Sequence, residues 1–366
     1  MVKPKFKETI PVFFVNNEIH IGEEDGIAGI IEDPNGSIKY LISLIDGENT
    51  IEDIIEKVIL KYPYITSEDI NSALGSLDAE NYLEDNAKRP KIMGEYEIER
   101  YKANLNYFSL FTSLNDSKFD IQEKIMNTNV ALLGVGGLGS QILYHLAGLG
   151  FHNINILDFD TLELSNFNRQ LLYSEENINE LKTELAKKRI SKFNPNVNLN
   201  MTNKRIECAD DVMNHIKDSD FVICVADKPT MHIQDWVNEA VVKLRKPLVS
   251  GGVLNTRGRF YSIIPGKTGC VECHKKTLMD SDQSVNEELN NMNQVNFQRN
   301  NAAISSNVAM LAGAMVNELL GLVTGISEPR SLGRMIEIDY LTYQTYAISE
   351  WEKQDSCPVC QSIYSK

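Results

Sequence analysis

Val130-Ala-Leu-Leu-Gly134-Val-Gly136-Gly137-Leu-Gly139-Ser-Gln141-Ile-Leu-Tyr-His-Leu-Ala-Gly-Leu149 runs from an apolar stretch through a glycine-rich turn into a helical stretch beginning at Gln141. The turn satisfies G-x-G-x-x-G, and it has the strand before it and the helix after it that give the pattern meaning. Glycines are required there because a phosphate must come close to the backbone, where the helix N-terminus offers free N–H groups and the positive end of its dipole. Two further strand-like runs follow, Ile154-Asn-Ile-Leu-Asp158 and Phe221-Val-Ile-Cys-Val-Ala226, with helical stretches between. Alternation of this kind from about residue 106 onward predicts an α/β fold: a doubly wound, mostly parallel, Rossmann-like sheet.

Asp158 ends the second run nineteen residues beyond Gly139, where a carboxylate can accept bonds from ribose hydroxyls. That alone would favour a dinucleotide oxidoreductase. The next residues change the reading, because Asp158-Phe-Asp160 is followed by Ser165-Asn166-Phe-Asn168-Arg169-Gln170 and then by Lys182. A dinucleotide site has little use for this set, and no His or Tyr proton donor is placed for hydride transfer. A nucleoside triphosphate carries several negative charges that must be neutralised while pyrophosphate departs, and Arg169 with Lys182 suits that task. The run ending at Ala226 delivers Asp227 to the carboxyl edge of the sheet, where a carboxylate can hold the Mg²⁺ that accompanies ATP. Asp227 can alternatively cap the helix expected after Lys228-Pro229-Thr230.

Gly134-x-Gly136-Gly137-x-Gly139, Asp158-x-Asp160, Ser165-Asn166-x-Asn168-Arg169-Gln170, Lys182 and Asp227 occur in the order seen in the ubiquitin-activating-like adenylyltransferases, and residues 95 to 366 resemble that family. The resemblance implies ATP or another nucleoside triphosphate with Mg²⁺ as cofactors. Gly134, Gly136, Gly137, Gly139, Asp158, Asp160, Asn168, Arg169, Gln170 and Lys182 would bind the nucleotide. Asp227, Arg169, Lys182 and Asn166 would be catalytic, and the chain would act as a homodimer. Asp235-Trp236-Val-Asn238 and Pro265-Gly-Lys-Thr-Gly-Cys270-Val-Glu-Cys273 look like the local sequences of members that activate a short ribosomal precursor peptide in microcin C-like antibiotic biosynthesis. One departure stands out: many members carry R-Y-x-R upstream of the sheet, whereas this chain reads Arg100-Tyr101-Lys102-Ala103.

Cys270-x-x-Cys273 and Cys357-x-x-Cys360 each have the two-residue gap that lets both thiolates grip one tetrahedral Zn²⁺. Four protein ligands leave no position for water, so such a zinc would be structural. Two redox-active dithiols are the other reading. His274 is read as a bystander, Cys224 as inert core, and Lys275–Asn300 as either a substrate-covering crossover loop or a plain surface loop. No cysteine lies between His274 and Ser356, where thiol-transferring members usually keep theirs.

Toward the N-terminus, Pro11–Val15 and Glu18–Gly22 flank Asn16-Asn17 and predict a hairpin. Thr50 with Asp53, and Ser67, predict the starts of two amphipathic helices, and Asn81–Asp85 a final turn or short strand. Residues 1–90 thus form a small α+β, winged-helix-like module, which also resembles the leader-peptide-recognition fold of peptide-modifying enzymes. Residues 91–105, with Gly94 as a breaker, are read as a linker and 106–366 as the adenylating domain. That matches a length of 366 residues, enough for two or three domains.

The formal charge is −15, of which −10 falls in residues 1–95, so the chain is ill suited to bind nucleic acid through phosphate contacts. The start of the chain lacks the apolar core of a signal peptide, and Asn307, Asn317 and Glu318 interrupt the apolar run Ala302–Val323, which predicts a buried helix rather than a membrane span. A cytoplasmic enzyme is expected. Two other functions share the sequence features: activation of a ubiquitin-like sulfur carrier, and a catalytically silent scaffold that presents a leader peptide.

Overall fold

Two threonines set the early helices. Thr50 accepts from the Asp53 N–H while Asp53 reaches back to the Thr50 N–H, and Thr66 and Asp69 do the same, so both reciprocal caps are present. The helices they start, Ile51–Lys61 and Ser67–Ala79, follow a shorter helix at Ser37–Leu44. Ser67, read as the start of its helix, is the first helical residue, and Thr66 caps it. The strands are β1 (Pro4–Phe6), β2 (Val12–Val15), β3 (Glu18–Ile21), β4 (Gly29–Glu32) and β5 (Leu83–Asp85). β2, β3 and β4 make an antiparallel sheet whose first turn places Asn16 at φ 54°, as the Asn-Asn pair predicts, and β1 pairs with β5. Ile19, Ile21, Ile54, Val58, Ile70, Leu74 and Leu83 form the core shared by sheet and helices.

The computed structural model describes residues 1–23, 28–281, 287, 291 and 302–362. Two compact units, Met1–Lys124 and Ile125–Lys366, divide the chain. Residues 91–105, expected as a linker, lie inside the first unit and carry the helices Glu95–Arg100 and Lys102–Ser109. Their apolar residues Met93, Tyr101 and Leu105 are buried. Polar links the sequence does not display tie the segment in. The Lys91 and Ile92 N–H groups donate to Glu123 Oε1 at 2.5 and 2.7 Å. Elsewhere in the same unit Lys118 pairs with Glu84 at 2.7 Å. Lys7 is buried, and its ammonium donates to the carbonyls of Asn81 and Thr112.

The second unit is built on β6 (Asn129–Leu133), β7 (Asn153–Asp158), β8 (Asn198–Asn203), β9 (Phe221–Cys224), β10 (Leu248–Val253), β11 (Arg257–Ile263), β12 (Arg334–Asp339) and β13 (Thr345–Glu350). They form one sheet in the order β13-β12-β11-β10-β9-β6-β7-β8. The five strands from β6 to β10 are parallel, and β11 to β13 extend the sheet antiparallel, which confirms the α/β, mostly parallel class. β6 carries Val130, Ala131, Leu132 and Leu133, all fully buried, as a strand covered on both faces must be.

Among the described residues, Ser305–Thr324 is the one helix long and apolar enough to cross a bilayer. Its apolar side is buried inside the unit against the helix Gly137–Leu149 and strands β10 and β11. Glu318, which interrupts the run, accepts from the Ser331 N–H and hydroxyl at 2.8 and 2.5 Å.

Burial pushes the Lys7 ammonium from its ordinary 10.5 down to about 8. Between those values the unfolded chain holds a proton that the folded chain has released, so the contribution of Lys7 makes the fold more stable as pH rises from 8 toward 10.5. Chemical unfolding followed across that range should show this rise in the wild type relative to Lys7→Met. Parallel pH profiles for the two proteins would remove Lys7 as the cause.

Candidate functional site

Strand order reverses between β6 and β9: the chain runs outward from β6 to β7 and β8, then returns to β9 on the other side of β6. Such a reversal opens a crevice at the carboxyl ends of the two strands, where open α/β sheets bind ligands. Gly134 follows β6 directly and Asp227 follows β9 by three residues, so the two predicted motifs flank this crevice. Gly134 has φ 92°, and a Cβ on it would lie 3.0 Å from the Ala226 N atom, so glycine is what lets the end of β6 pass the end of β9. A Cβ on Gly139 would collide with the Gly134 carbonyl, so the loop closes onto its helix only with glycine at both positions.

Asp158 braces this loop. Its Oδ2 accepts from the Val135 N–H at 2.8 Å and its Oδ1 from the Asp160 N–H at 2.8 Å, while the Tyr173 hydroxyl donates to the Val135 carbonyl at 2.7 Å. The two links to Val135 were not visible as a spacing, because each joins residues more than twenty positions apart.

The predicted Asn-Arg-Gln segment folds back over the loop. Leu164–Asn166 is a short 3₁₀ turn in which buried Asn166 accepts from the Glu163 N–H at 3.2 Å, and its carbonyl accepts from the Gln170 N–H at 2.9 Å. Arg169 lies across Gly137, where a Cβ would be 3.1 Å from its Cγ. Its Nη1 donates to the Ser165 carbonyl at 3.1 Å and to Asn168 Oδ1 at 2.7 Å, and Asn168 Nδ2 donates in turn to the Ala303 carbonyl at 2.9 Å. The guanidinium is therefore held at the N-terminal end of the Gly137–Leu149 helix. Gln170 is buried and its Oε1 has no hydrogen-bond partner among the described residues. An orphaned amide oxygen costs about 1–3 kcal/mol, which a ligand donor would recover.

Lys182 begins the helix Lys182–Phe193, is buried, and pairs with Asp160 Oδ2 at 3.1 Å. Lys228, which the sequence reading treated as loop, approaches the same oxygen at 3.9 Å. Asp227 is exposed. The cap alternative for it is overturned: the following helix is Ile233–Leu244, and its N-cap residue is His232, with no side-chain cap bond. Arg169, Lys182 and Lys228 thus share the crevice end of the sheet with Asp158, Asp160 and Asp227. A triphosphate with its cation fits this balance, since both the cations it needs and an exposed carboxylate for Mg²⁺ are present.

The four predicted cysteines converge in the buried cluster below the sheet. The Sγ atoms of Cys270, Cys273, Cys357 and Cys360 all lie within 4.8 Å of one another. Neighbouring sulfurs are 3.8 Å (Cys270–Cys273), 3.7 Å (Cys270–Cys357) and 3.6 Å (Cys273–Cys360) apart. Four sulfurs bonded to one Zn²⁺ at ~2.3 Å stand ~3.8 Å apart, so the spacing fits a tetrahedral metal and is far too long for disulfides. The Gln354 N–H points at Cys273 Sγ at 3.4 Å, the Cys360 N–H at Cys357 Sγ at 3.5 Å, and Asn238 Nδ2 at Cys270 Sγ at 3.6 Å. Such donors suit sulfurs carrying thiolate charge. His274 turns aside and stacks on Trp351 at 4.5 Å and 13°. Burial pushes the Cys224 thiol up to about 11, consistent with inert core. Part of the Lys275–Asn300 stretch continues the helix Val271–Ser281 rather than forming a loop. The rest, apart from residues 287 and 291, lies outside the described residues.

Residues 101–359 match the ThiF family. The chain is 25% identical over 248 residues to the sulfur carrier protein ThiS adenylyltransferase of Escherichia coli, covering 68% of this chain and 91% of that protein. It is 30% identical over 167 residues to SUMO-activating enzyme subunit 2 of Dictyostelium discoideum, covering 46% of this chain, and it spans only 24% of that relative's length. Its fold is like that of E. coli MccB solved with ATP, at TM-score 0.76 and 22% identity over 98% of this chain and 99% of that one. MccB has also been solved with N-formylated MccA, and that structure matches equally well, at TM-score 0.76 and 22% identity.

The thiol cluster gives a direct test. The purified protein should contain about one zinc per chain, and chelation should lower its thermal midpoint and change the fluorescence of Trp351, which stacks on His274 beside Cys273. Asn238→Ala, which removes the N–H donor to Cys270, should weaken zinc binding by roughly 10–100-fold. A metal-free protein of unchanged stability would sink the assignment.

Proposed function

Because the chain belongs to the ThiF family, we propose that it is an ATP-dependent nucleotidyltransferase that activates the C-terminal carboxylate of a short ribosomal precursor peptide. The observation that carries this reading is the gathering of Arg169, Lys182 and Asp227 around the glycine loop at the β6/β9 reversal. The peptide carboxylate would attack the α-phosphate, forming a carboxyl–phosphate bond as the bond to pyrophosphate breaks. Arg169 and Lys182 would stabilise the charge that develops on the α-phosphate and on departing pyrophosphate, with Asn166 fixing the turn that presents Arg169. Gly134, Gly136, Gly137 and Gly139 would receive the phosphates, with Asp158, Asp160, Asn168 and Gln170 completing the nucleotide site. Asp227 would hold Mg²⁺, which supplies neutralising charge to the phosphates when bound.

Peptide as the substrate is supported by the likeness to MccB solved with MccA and by the first unit, whose acidic β2-β3-β4 and helical module we assign to leader capture. We extend the reading to a peptide ending in Asn, whose side-chain amide would close on the activated carbonyl before a second transfer builds a phosphorus–nitrogen bond. Homodimer formation and a reducing, cytoplasmic setting, where the four thiols stay available to metal, belong to the same proposal. A second reading, activation of a sulfur carrier, is favoured by the match to nearly the whole ThiS adenylyltransferase.

Pyrophosphate exchange separates the two. Labelled pyrophosphate should enter ATP only when an Asn-terminated peptide is added, and Lys182→Ala should slow that exchange by about 10²–10³-fold. Exchange driven by a carrier ending in Gly-Gly, but not by the peptide, would replace the first reading with the second.

The first 95 residues carry nine basic and nineteen acidic side chains. The captured peptide should therefore be basic or neutral, and its affinity should fall as salt is raised from 50 to 500 mM, which screens charges beyond a few ångströms. Affinity unchanged by salt would leave these carboxylates as ordinary surface.

A further inference from the structure

The three cations at the crevice differ in how firmly they are held. Arg169 is fixed by two hydrogen bonds, to Ser165 and Asn168. The Lys182 side chain is 6% exposed and sits 3.1 Å from Asp160. Lys228 is 56% exposed and stands 3.9 Å from an Asp160 oxygen already engaged by Lys182. One carboxylate cannot fully neutralise two ammonium groups, so Lys228 is the weakly bound member of the set. It also follows Asp227 immediately, on the segment leaving β9 at the carboxyl edge. Among the described residues, the site therefore has two cations fixed in place and one loosely held.

Activation brings together two anions, a carboxylate and a triphosphate. Their encounter needs a cation that is not already committed to the phosphates, and a lysine on a flexible stem supplies a compact charge with three donors. Building on the peptide-activating reading, we infer that Lys228 receives the peptide's free C-terminal carboxylate. Its ammonium leaves Asp160, pairs with one carboxylate oxygen, and holds the other toward the α-phosphate. That second oxygen forms the new bond to phosphorus while the bond to pyrophosphate breaks and its electron pair leaves with pyrophosphate. No proton moves, and Lys228 stays charged throughout.

A synthetic Asn-terminated peptide, prepared as the free acid and as the C-terminal amide, tests this by calorimetric binding and by exchange kinetics. The wild type should bind the acid roughly tenfold more tightly than the amide, the worth of one charge-assisted contact. Lys228→Met should bind both alike and raise the peptide KM about tenfold while leaving the ATP KM in place, and Lys228→Arg should restore most of the acid preference. The inference is overturned if the wild type shows no acid preference, if Lys228→Met keeps it, or if the variant raises the ATP KM instead, which would make Lys228 a phosphate ligand. Failure of the wild type to exchange pyrophosphate with any peptide would overturn the peptide-activating reading itself, a result separate from the acid-to-amide binding ratio.

Discussion

The reversal of strand order between β6 and β9 is the constraint on which the rest of the second unit depends. Two parallel strands whose connections leave in opposite directions cannot have their carboxyl ends covered by a single crossover, so a crevice remains where their backbones end. Every feature of the candidate site answers to that gap. The glycines let the loop after β6 pass the end of β9, Asp158 and Tyr173 clamp the loop from the neighbouring strand and the following turn, and the cations converge on the space left over. If any bulky residue took the place of Gly134 or Gly139, the loop could not close, and the cations would face no common point.

Stiffness around the crevice comes from different sources on its two sides. On the β6 side it is hydrogen bonding: Asp158 uses both carboxylate oxygens on backbone N–H groups, and the Asn166 turn ties Arg169 and Gln170 to the chain just before them. On the β9 and β10 side it is the apolar cluster that contains Cys224, Val237, Val241 and Leu248 and runs into the four thiols. Those thiols join the segment after β11 to the C-terminal residues across 84 positions of sequence. A tetrahedral metal there would anchor the C-terminal segment to the sheet, with His274 stacked on Trp351 and Tyr261 tilted against the same ring beside it. The site thus sits between a hydrogen-bonded edge and a packed core, while Lys228 and Asp227 remain exposed at the opening.

Motifs defined by short spacing were legible in the sequence, because their geometry is local. G-x-G-x-x-G, the two C-x-x-C pairs, Thr50 with Asp53 and the Asn16-Asn17 turn all became the structures their spacing implied. Long-range polar contacts were not legible. Lys7 reaches Thr112, and Glu123 reaches Lys91, so the stretch read as a linker is part of the first unit. The role of Asp158 as a brace, the donor Asn238 against Cys270, and Lys228 beside Asp160 likewise join residues that no window of sequence brings together. Asp227 shows the opposite case: a local cap was plausible from its neighbours, and only the placement of the next helix at Ile233 removed it.

By itself the sequence determined the α/β class, the glycine loop and the thiol pairs, since each follows from periodicity or fixed spacing along the chain, while Asp160, Arg169, Lys182 and Asp227 were picked out by their charge and by the family resemblance. Tertiary structure decided where the first unit ends, that the two thiol pairs meet at tetrahedral distances, and which cation at the crevice is loosely held. Those outcomes depend on side chains competing for the same partners in space. Asp160 has one negative charge and two lysines near it, and only folding determines which lysine lies closer.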